Sequence, residues 1–324
     1  MEIKNNTLVG FRNDIKVLDC TLRDGGLVNN FAFSDEFVKN LYEANVKAGV
    51  DYMEFGYKAD RDEFNPTDYG KWKFTKEEDL RAIVGENNTK LKISVLADAG
   101  RTNFERDILP KSESVIDMIR VAAYINQIPS AIEMIEDAHA KGYETTVNIM
   151  AVSKVQEEEL IKGIELLAET NVDVIYLVDS FGFFYPEQIN RLAKIYIEIA
   201  ERANKKIGIH THNNQQLAFA NTIEALRVGV SYLDATVNGM GRGAGNCFIE
   251  SLLGFLRNPR YRLDPMLRFV SKYIPQIKAD GAVWGYDAPY MLTGLFNSHP
   301  SSAIKFIKDE RDDYDKFYKD LLED

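Results

Sequence analysis

From residue 16 to about 258, short runs of β-branched and aromatic residues alternate with longer stretches of helical periodicity. The runs Val17–Cys20, Tyr52–Phe55, Leu91–Leu96, Ser114–Val121, Thr145–Ala151, Val174–Val178, Ile207–His210 and Tyr232–Thr236 read as strands. They are nearly continuously apolar, as strands covered on both faces of a parallel sheet are. Between them, Asp35–Ala48, Pro129–Ala140, Gln156–Thr170, Pro186–Ala203 and Gln215–Val228 repeat apolar positions at helical spacing. Ser34 is placed as an N-cap and Pro186 suits a first helical turn. Gly49, Gly142 and Gly229 stand where C-terminal caps belong. Strand–helix alternation of this kind predicts an α/β chain, a (β/α)8 TIM barrel over residues 1–258. A doubly wound open sheet is the rival, but no Gly-x-Gly-x-x-Gly follows the first strand. Residues 259–324 read as a C-terminal helical extension, a cap over the barrel mouth or an oligomer contact. Its charged end, Lys308–Asp324, reads as a solvated helix face.

Composition narrows the partners. With 45% hydrophobic and 27% charged residues the chain is globular, and its net charge of −11 argues against nucleic acid and anionic membrane. No apolar run approaches the roughly 20 residues of a membrane-spanning helix. The opening Met1-Glu-Ile-Lys-Asn-Asn carries no signal-peptide core, and Cys20 and Cys247 form neither a CxxC pair nor a disulfide framework. A reducing cytoplasm is the expected compartment.

The chemistry concentrates after the strands, where a barrel of this type keeps its active site. His210-Thr211-His212 ends the seventh apolar run, and residues i and i+2 of a strand share a face. Two of the four histidines therefore project together, as neighbouring ligands of one metal ion do. Arg23 and Asp24 follow strand one, Glu54 ends strand two, Asp98 and Arg101 follow strand three, and Asp179 and Ser180 end strand six. Closure of the barrel brings strands seven, eight and one side by side, and Asp24 near the histidines. Two imidazoles and a carboxylate suit Zn, Mn, Fe or Mg. With open coordination positions such an ion stabilises the enolate of a 2-keto acid, and Arg23 is placed to hold the developing oxyanion. The loop Gly239-Met240-Gly241-Arg242-Gly243-Ala244-Gly245-Asn246 permits close backbone approach, with Asn246 as a carbonyl ligand or a second-sphere group.

The segments LDCTLRDGG (18–26) and GIHTHNNQQLAFANTIEALRVGVSYLDATVNGMGRGAGN (208–246), with the Asp-Ser pair after strand six, resemble the DRE-TIM metallolyase superfamily, which includes hydroxymethylglutaryl-CoA lyase. The 4-hydroxy-2-oxovalerate aldolase branch is the most similar. The resemblance implies Asp24, His210 and His212 as metal ligands, Asn246 at a position that ligates in the lyase branch, and Arg23 as enolate stabiliser. Glu54 and Ser180 become substrate contacts, and Tyr290, in Gly285–Tyr290, a site tyrosine. The implied cofactor is a divalent ion, Mn2+ foremost, with Mg2+, Co2+ or Zn2+ as alternatives. The implied reactants are a small 2-keto acid and an aldehyde. Two departures stand out: the glycine-rich loop lacks the lyase cysteine, and Leu27 occupies the position of the aldolase base histidine. His299, in Asn297-Ser298-His299-Pro300, is the candidate replacement together with Tyr290, if the tail folds over the mouth.

The leading expectation is a metal-dependent aldolase working through a pyruvate-type enolate. A Claisen-type acyltransferase using acetyl-CoA is an alternative, although such enzymes carry a longer C-terminal region. A non-catalytic metal-binding barrel is another. A homo-oligomer is expected by analogy. The aldehyde dehydrogenase partnership of the aldolase branch is not, because the tail departs from that branch.

Overall fold

The computed structural model describes residues 9–323; the opening Met1–Asn6, read above for a signal segment, lies outside them. Eight strands, β1 (Lys16–Asp19), β2 (Tyr52–Tyr57), β3 (Lys92–Asp98), β4 (Met118–Ala123), β5 (Glu144–Ile149), β6 (Val174–Asp179), β7 (Lys206–Thr211) and β8 (Tyr232–Ala235), run parallel and close in sequence order. The expected TIM barrel is therefore present, and β8 meets β1 with Leu18 opposite Asp234. The open-sheet rival is excluded by that closure. Among the described residues no helix is long and apolar enough to cross a membrane.

The helical periodicity translates into the outer layer with small shifts at the ends. Ser34 caps the helix Asp35–Ala48, its Oγ accepting from Phe37 N at 3.2 Å. The helix expected from Gln215 starts at Ala218, because Gln216 takes a left-handed φ of 61° and Asn213 Oδ1 accepts from Ala218 N. The fifth strand stops at Ile149, ahead of the left-handed Ala151. The run at Ser114 enters the sheet only at Met118, since Ser114 Oγ is engaged by Glu77 and Asp117 faces the neighbouring strand.

Asp117 belongs to a repeated device at the barrel floor. Asp51, just before β2, accepts from Val17 N of β1 at 2.9 Å; Asp117, before β4, from Ile93 N of β3 at 2.9 Å; Asp173, before β6, from Thr145 N of β5 at 2.8 Å. Each carboxylate accepts from the second amide of the preceding strand, which ties strands in pairs.

The C-terminal region divides. The helix Asp264–Ala279 lies on Asp35–Ala48, with Phe269 edge-on to Phe37 at 5.1 Å, and shares the main core. The helices Ala288–Leu295, Ser301–Lys308 and Tyr314–Glu323 instead gather around Phe306, Phe317 and Leu321 in a separate cluster, which includes Ala244 of the glycine-rich loop. That small cluster, with the bonds from Asn214 Nδ2 to Tyr290 O and from Asn297 Nδ2 to Ser153 O, anchors the last helices beside the mouth. Phe306→Ala is expected to cost about 3–5 kcal/mol there. In hydrogen exchange, amides of 288–323 should lose protection while those of β1–β8 keep theirs.

Candidate metal centre

Each even-numbered strand sends one large polar side chain to the barrel axis: Glu54 from β2, Arg120 from β4, Tyr176 from β6 and Asp234 from β8, all fully buried. Such a layer is usually aliphatic. Here the Arg120 guanidinium stacks over Tyr176 at 4.5 Å, with Nη2 2.6 Å from Asp234 and Nη1 3.1 Å from Glu54. Gly208 of β7 makes room, because a Cβ there would fall 2.5 Å from the Tyr176 ring.

This layer carries the site above it. Glu54 accepts from Arg23 Nε at 2.8 Å, and Arg23 Nη1 lies 3.2 Å from Asp24 Oδ1. Asp24 Oδ2 is 3.4 Å from His210 Nε2, and His210 Nδ1 is 3.1 Å from Asp234 Oδ2. Arg23, Asp24, His210, Asp234, Arg120 and Glu54 thus form a closed ring of buried side chains. Burial opposes ionisation of Asp24, yet Arg23 and the two imidazoles hold its carboxyl well below the usual range. Burial also opposes charging of His210, which its bond to Asp234 and the nearby Asp24 carboxylate outweigh. His212, 5.0 Å from His210 ring to ring, has no such bond, and desolvation pushes it down to about 3, a neutral imidazole.

The residues present fit a divalent cation. Ligating atoms of Asp24, His210 and His212 lie within 4.8 Å of one another. Asp24 Oδ2, His210 Nε2 and Asn246 Oδ1 are buried without a hydrogen-bond partner. With Nδ1–H donated to Asp234, His210 turns an Nε2 lone pair toward a carboxylate oxygen, an arrangement that a shared cation relieves. Gly241 lets the Asn246 amide into this corner: a Cβ there would lie 2.1 Å from Asn246 Nδ2 and 3.5 Å from Asp24 Oδ2. Asn246 Nδ2 donates to Met240 O, leaving its oxygen free.

Above the ring opens a cavity of about 290 Å3, whose lining includes Arg23, Asp24, His210, His212, Ser180 and His299. Ser180 accepts from Ala151 N at 2.8 Å, holding that left-handed residue in place. Two expected contacts are not wall residues. Glu54 sits in mid-strand, since β2 continues to Tyr57, and is enclosed behind Arg23. Tyr290 packs in the tail cluster and against Gly243, and does not line the cavity. Asp179 also turns inward, accepting from Phe183 N and Phe184 N, and burial pushes it up to about 7. Of the tail candidates only His299 reaches the mouth. Burial and Arg242 lower its pKa; its Nδ1 accepts from Ser301 N at 3.1 Å, and its Nε2 lies 3.4 Å from Arg242 Nη1. Leu27 lines the same cavity. Arg120 and Asp234, absent from the expectation, carried a signal: each is a charge inside an otherwise apolar strand.

Comparison with known proteins agrees with this geometry. Residues 14–267 match the HMGL-like family. The oxaloacetate decarboxylase of Mycobacterium tuberculosis is 30% identical over 243 residues, 74% of this chain and 69% of that protein. The 4-hydroxy-2-oxovalerate aldolase 1 of Nocardia farcinica is 31% identical over 244 residues, with the same coverages of 74% and 69%. Among solved structures, the N-terminal domain of a candidate aldolase from Bacteroides vulgatus superposes with a TM-score of 0.80 at 29% identity, covering 90% of this chain and 96% of that one. The chain belongs to the HMGL-like family, as a divalent-metal-dependent lyase of the aldolase kind.

Proposed function

We propose that this enzyme cleaves or forms a carbon–carbon bond beside the carbonyl of a 2-keto acid, through a pyruvate-type enolate, with an aldehyde as the second reactant. The observation that carries the reading is Arg23. Its guanidinium lines the cavity beside the metal-ligand set while Glu54 and Asp24 hold it from behind. A preorganised cation at that point stabilises oxyanion charge as it develops, without reorganising.

Asp24, His210, His212 and Asn246 would hold the ion, with Mn2+ as the proposed metal and Mg2+, Co2+ or Zn2+ as substitutes. When bound, such an ion supplies a Lewis acid for the keto and carboxylate oxygens. Once His210 gives up its proton to act as a ligand, the ring's three carboxylates outnumber its two guanidiniums, an excess of negative charge that a cation would offset. Arg23 donates to the oxygen that becomes the enolate. Ser180 contacts the substrate from the β6 side. His299, held neutral, takes the proton of the alcohol in cleavage and returns it in condensation. The reducing cytoplasm expected for this enzyme suits its two free, buried cysteines.

Leu27 favours a second reading. Loss of carbon dioxide from a 2-keto acid with a β-carboxylate yields the same enolate and needs no base for an alcohol. The Mycobacterium tuberculosis relative is named for that reaction. The two readings separate at His299, which only the aldol reaction requires.

Pyruvate methyl protons are expected to exchange with D2O when Mn2+ is present and to stop on chelation, which also lowers Tm. Arg23→Met slows that exchange by roughly 10²–10³-fold; no exchange by protein shown to hold metal overturns the reading. Asp234→Asn, which spares the ligands but removes the carboxylate behind His210, weakens Mn2+ binding roughly 10- to 100-fold in a metal titration. For retro-aldol cleavage, the lowered His299 pKa means that the base form persists to lower pH. The acid limb of kcat therefore lies below pH about 6.5. His299→Gln lowers kcat by about 10²-fold or more and abolishes that limb, while decarboxylation of oxaloacetate continues at its normal rate.

A further inference from the structure

Lys73 has no counterpart in the site described so far. It is a buried lysine between β2 and the helix Glu77–Val84, and it lines the same cavity as Arg23 and His212. Its ammonium sits in an aromatic box, 4.3 Å from the ring centroid of Phe64, 4.5 Å from Tyr57, 5.5 Å from Phe31 and 5.7 Å from Tyr69. The box is built at some conformational cost. Asn30 and Phe31 are consecutive non-glycine residues with φ of 52° and 63°. The Phe31 ring passes over Gly26, where a Cβ would stand 2.2 Å from it, and Asn30 O accepts from Gly70 N at 2.7 Å. Strain of this kind persists where the surroundings over-determine it, and it clusters at ligand clamps.

The four cations of the cavity wall are not equivalent. Arg23 is engaged by Glu54 and Asp24, and Arg101 by Glu63 at 3.5 Å. Arg242 abuts His299. Among the described residues, no carboxylate lies within ion-pairing distance of Lys73 Nζ, and that ammonium makes no hydrogen bond. Burial pulls its pKa down, with Asp98 opposing, while aromatic faces favour the charged form. A buried ammonium that faces a cavity without a counter-ion is completed by an anion from the ligand.

We infer that Lys73 is the specificity-determining residue for the second reactant, and that this reactant is an aldehyde carrying an anionic group, a carboxylate or a phosphate, at its far end. The enolate half of the substrate is held by Arg23 and the ligand set, and the anionic tail of the other half by the Lys73 ammonium. This inference rests on the aldol reading above.

The test is a matched panel of acceptors in pyruvate condensation: succinic semialdehyde against butanal, and glyceraldehyde 3-phosphate against glyceraldehyde. The wild-type enzyme is expected to favour the charged member of at least one pair by about tenfold or more in kcat/KM, mainly through KM. The pair with the larger preference tells carboxylate from phosphate. Lys73→Met should bring the ratio toward one, with turnover of the neutral aldehyde reporting that the protein is folded, and Lys73→Arg should keep part of it. Equal use of charged and neutral members by the wild type, or a preference that survives Lys73→Met, overturns the inference. Pyruvate proton exchange in the same samples separates the failures: exchange without charge preference removes only this inference, and absent exchange removes the aldol reading beneath it.

Discussion

The site rests on one guanidinium that never meets substrate. Arg120 lies on the barrel axis, fully buried, between Glu54 and Asp234. Both of those carboxylates also act upward, Glu54 orienting Arg23 and Asp234 orienting His210. The two sides of the metal centre are therefore positioned from one point, one through β2 and the other through β8. A buried charge unpaired on either side would cost about 3–5 kcal/mol. The ring thus stands or falls as a unit, which makes the placement of Arg23 relative to the ligands a property of the barrel interior and not of its loops.

Much of this was legible in the chain. The alternation of apolar runs with helical periodicity specified the barrel, because a parallel sheet covered on both faces leaves little freedom in its pattern. The histidine pair was legible for a similar reason, since strand periodicity alone puts positions 210 and 212 on one face. What the pattern could not show was depth. Glu54 read as the end of a strand, yet β2 continues to Tyr57, and three further residues turn a mouth contact into an interior support. Tyr290 and His299 were indistinguishable as tail candidates. Only the packing of the last helices separates them, drawing the tyrosine into an apolar cluster and leaving the histidine at the rim. Lys73 was invisible because its environment is assembled from Phe31, Tyr57, Phe64 and Tyr69, which lie on different segments.

Glycines set the clearances on which these contacts depend. Gly208 admits Tyr176 beneath Arg120, Gly241 admits the Asn246 amide beside Asp24, and Gly26 admits Phe31 beside Lys73. Each is a place where a side chain would occupy the volume that another residue needs. The last two lie within a few residues of Asp24 and Asn246, so the backbone that presents the ligands also leaves room for their neighbours.

The floor carboxylates bear on the metal in a different way. Asp51, Asp117 and Asp173 fasten β1 to β2, β3 to β4 and β5 to β6. Among the described residues the other five seams, β7–β8 and β8–β1 included, have no such carboxylate. The proposed ligand set comes from the β7–β8–β1 arc: Asp24 after β1, His210 and His212 at the end of β7, and Asn246 after β8. A cation held there acts as a clasp across the seam where the barrel's last strands meet its first. Loading the metal would then join three strands of the barrel as well as supply the chemistry.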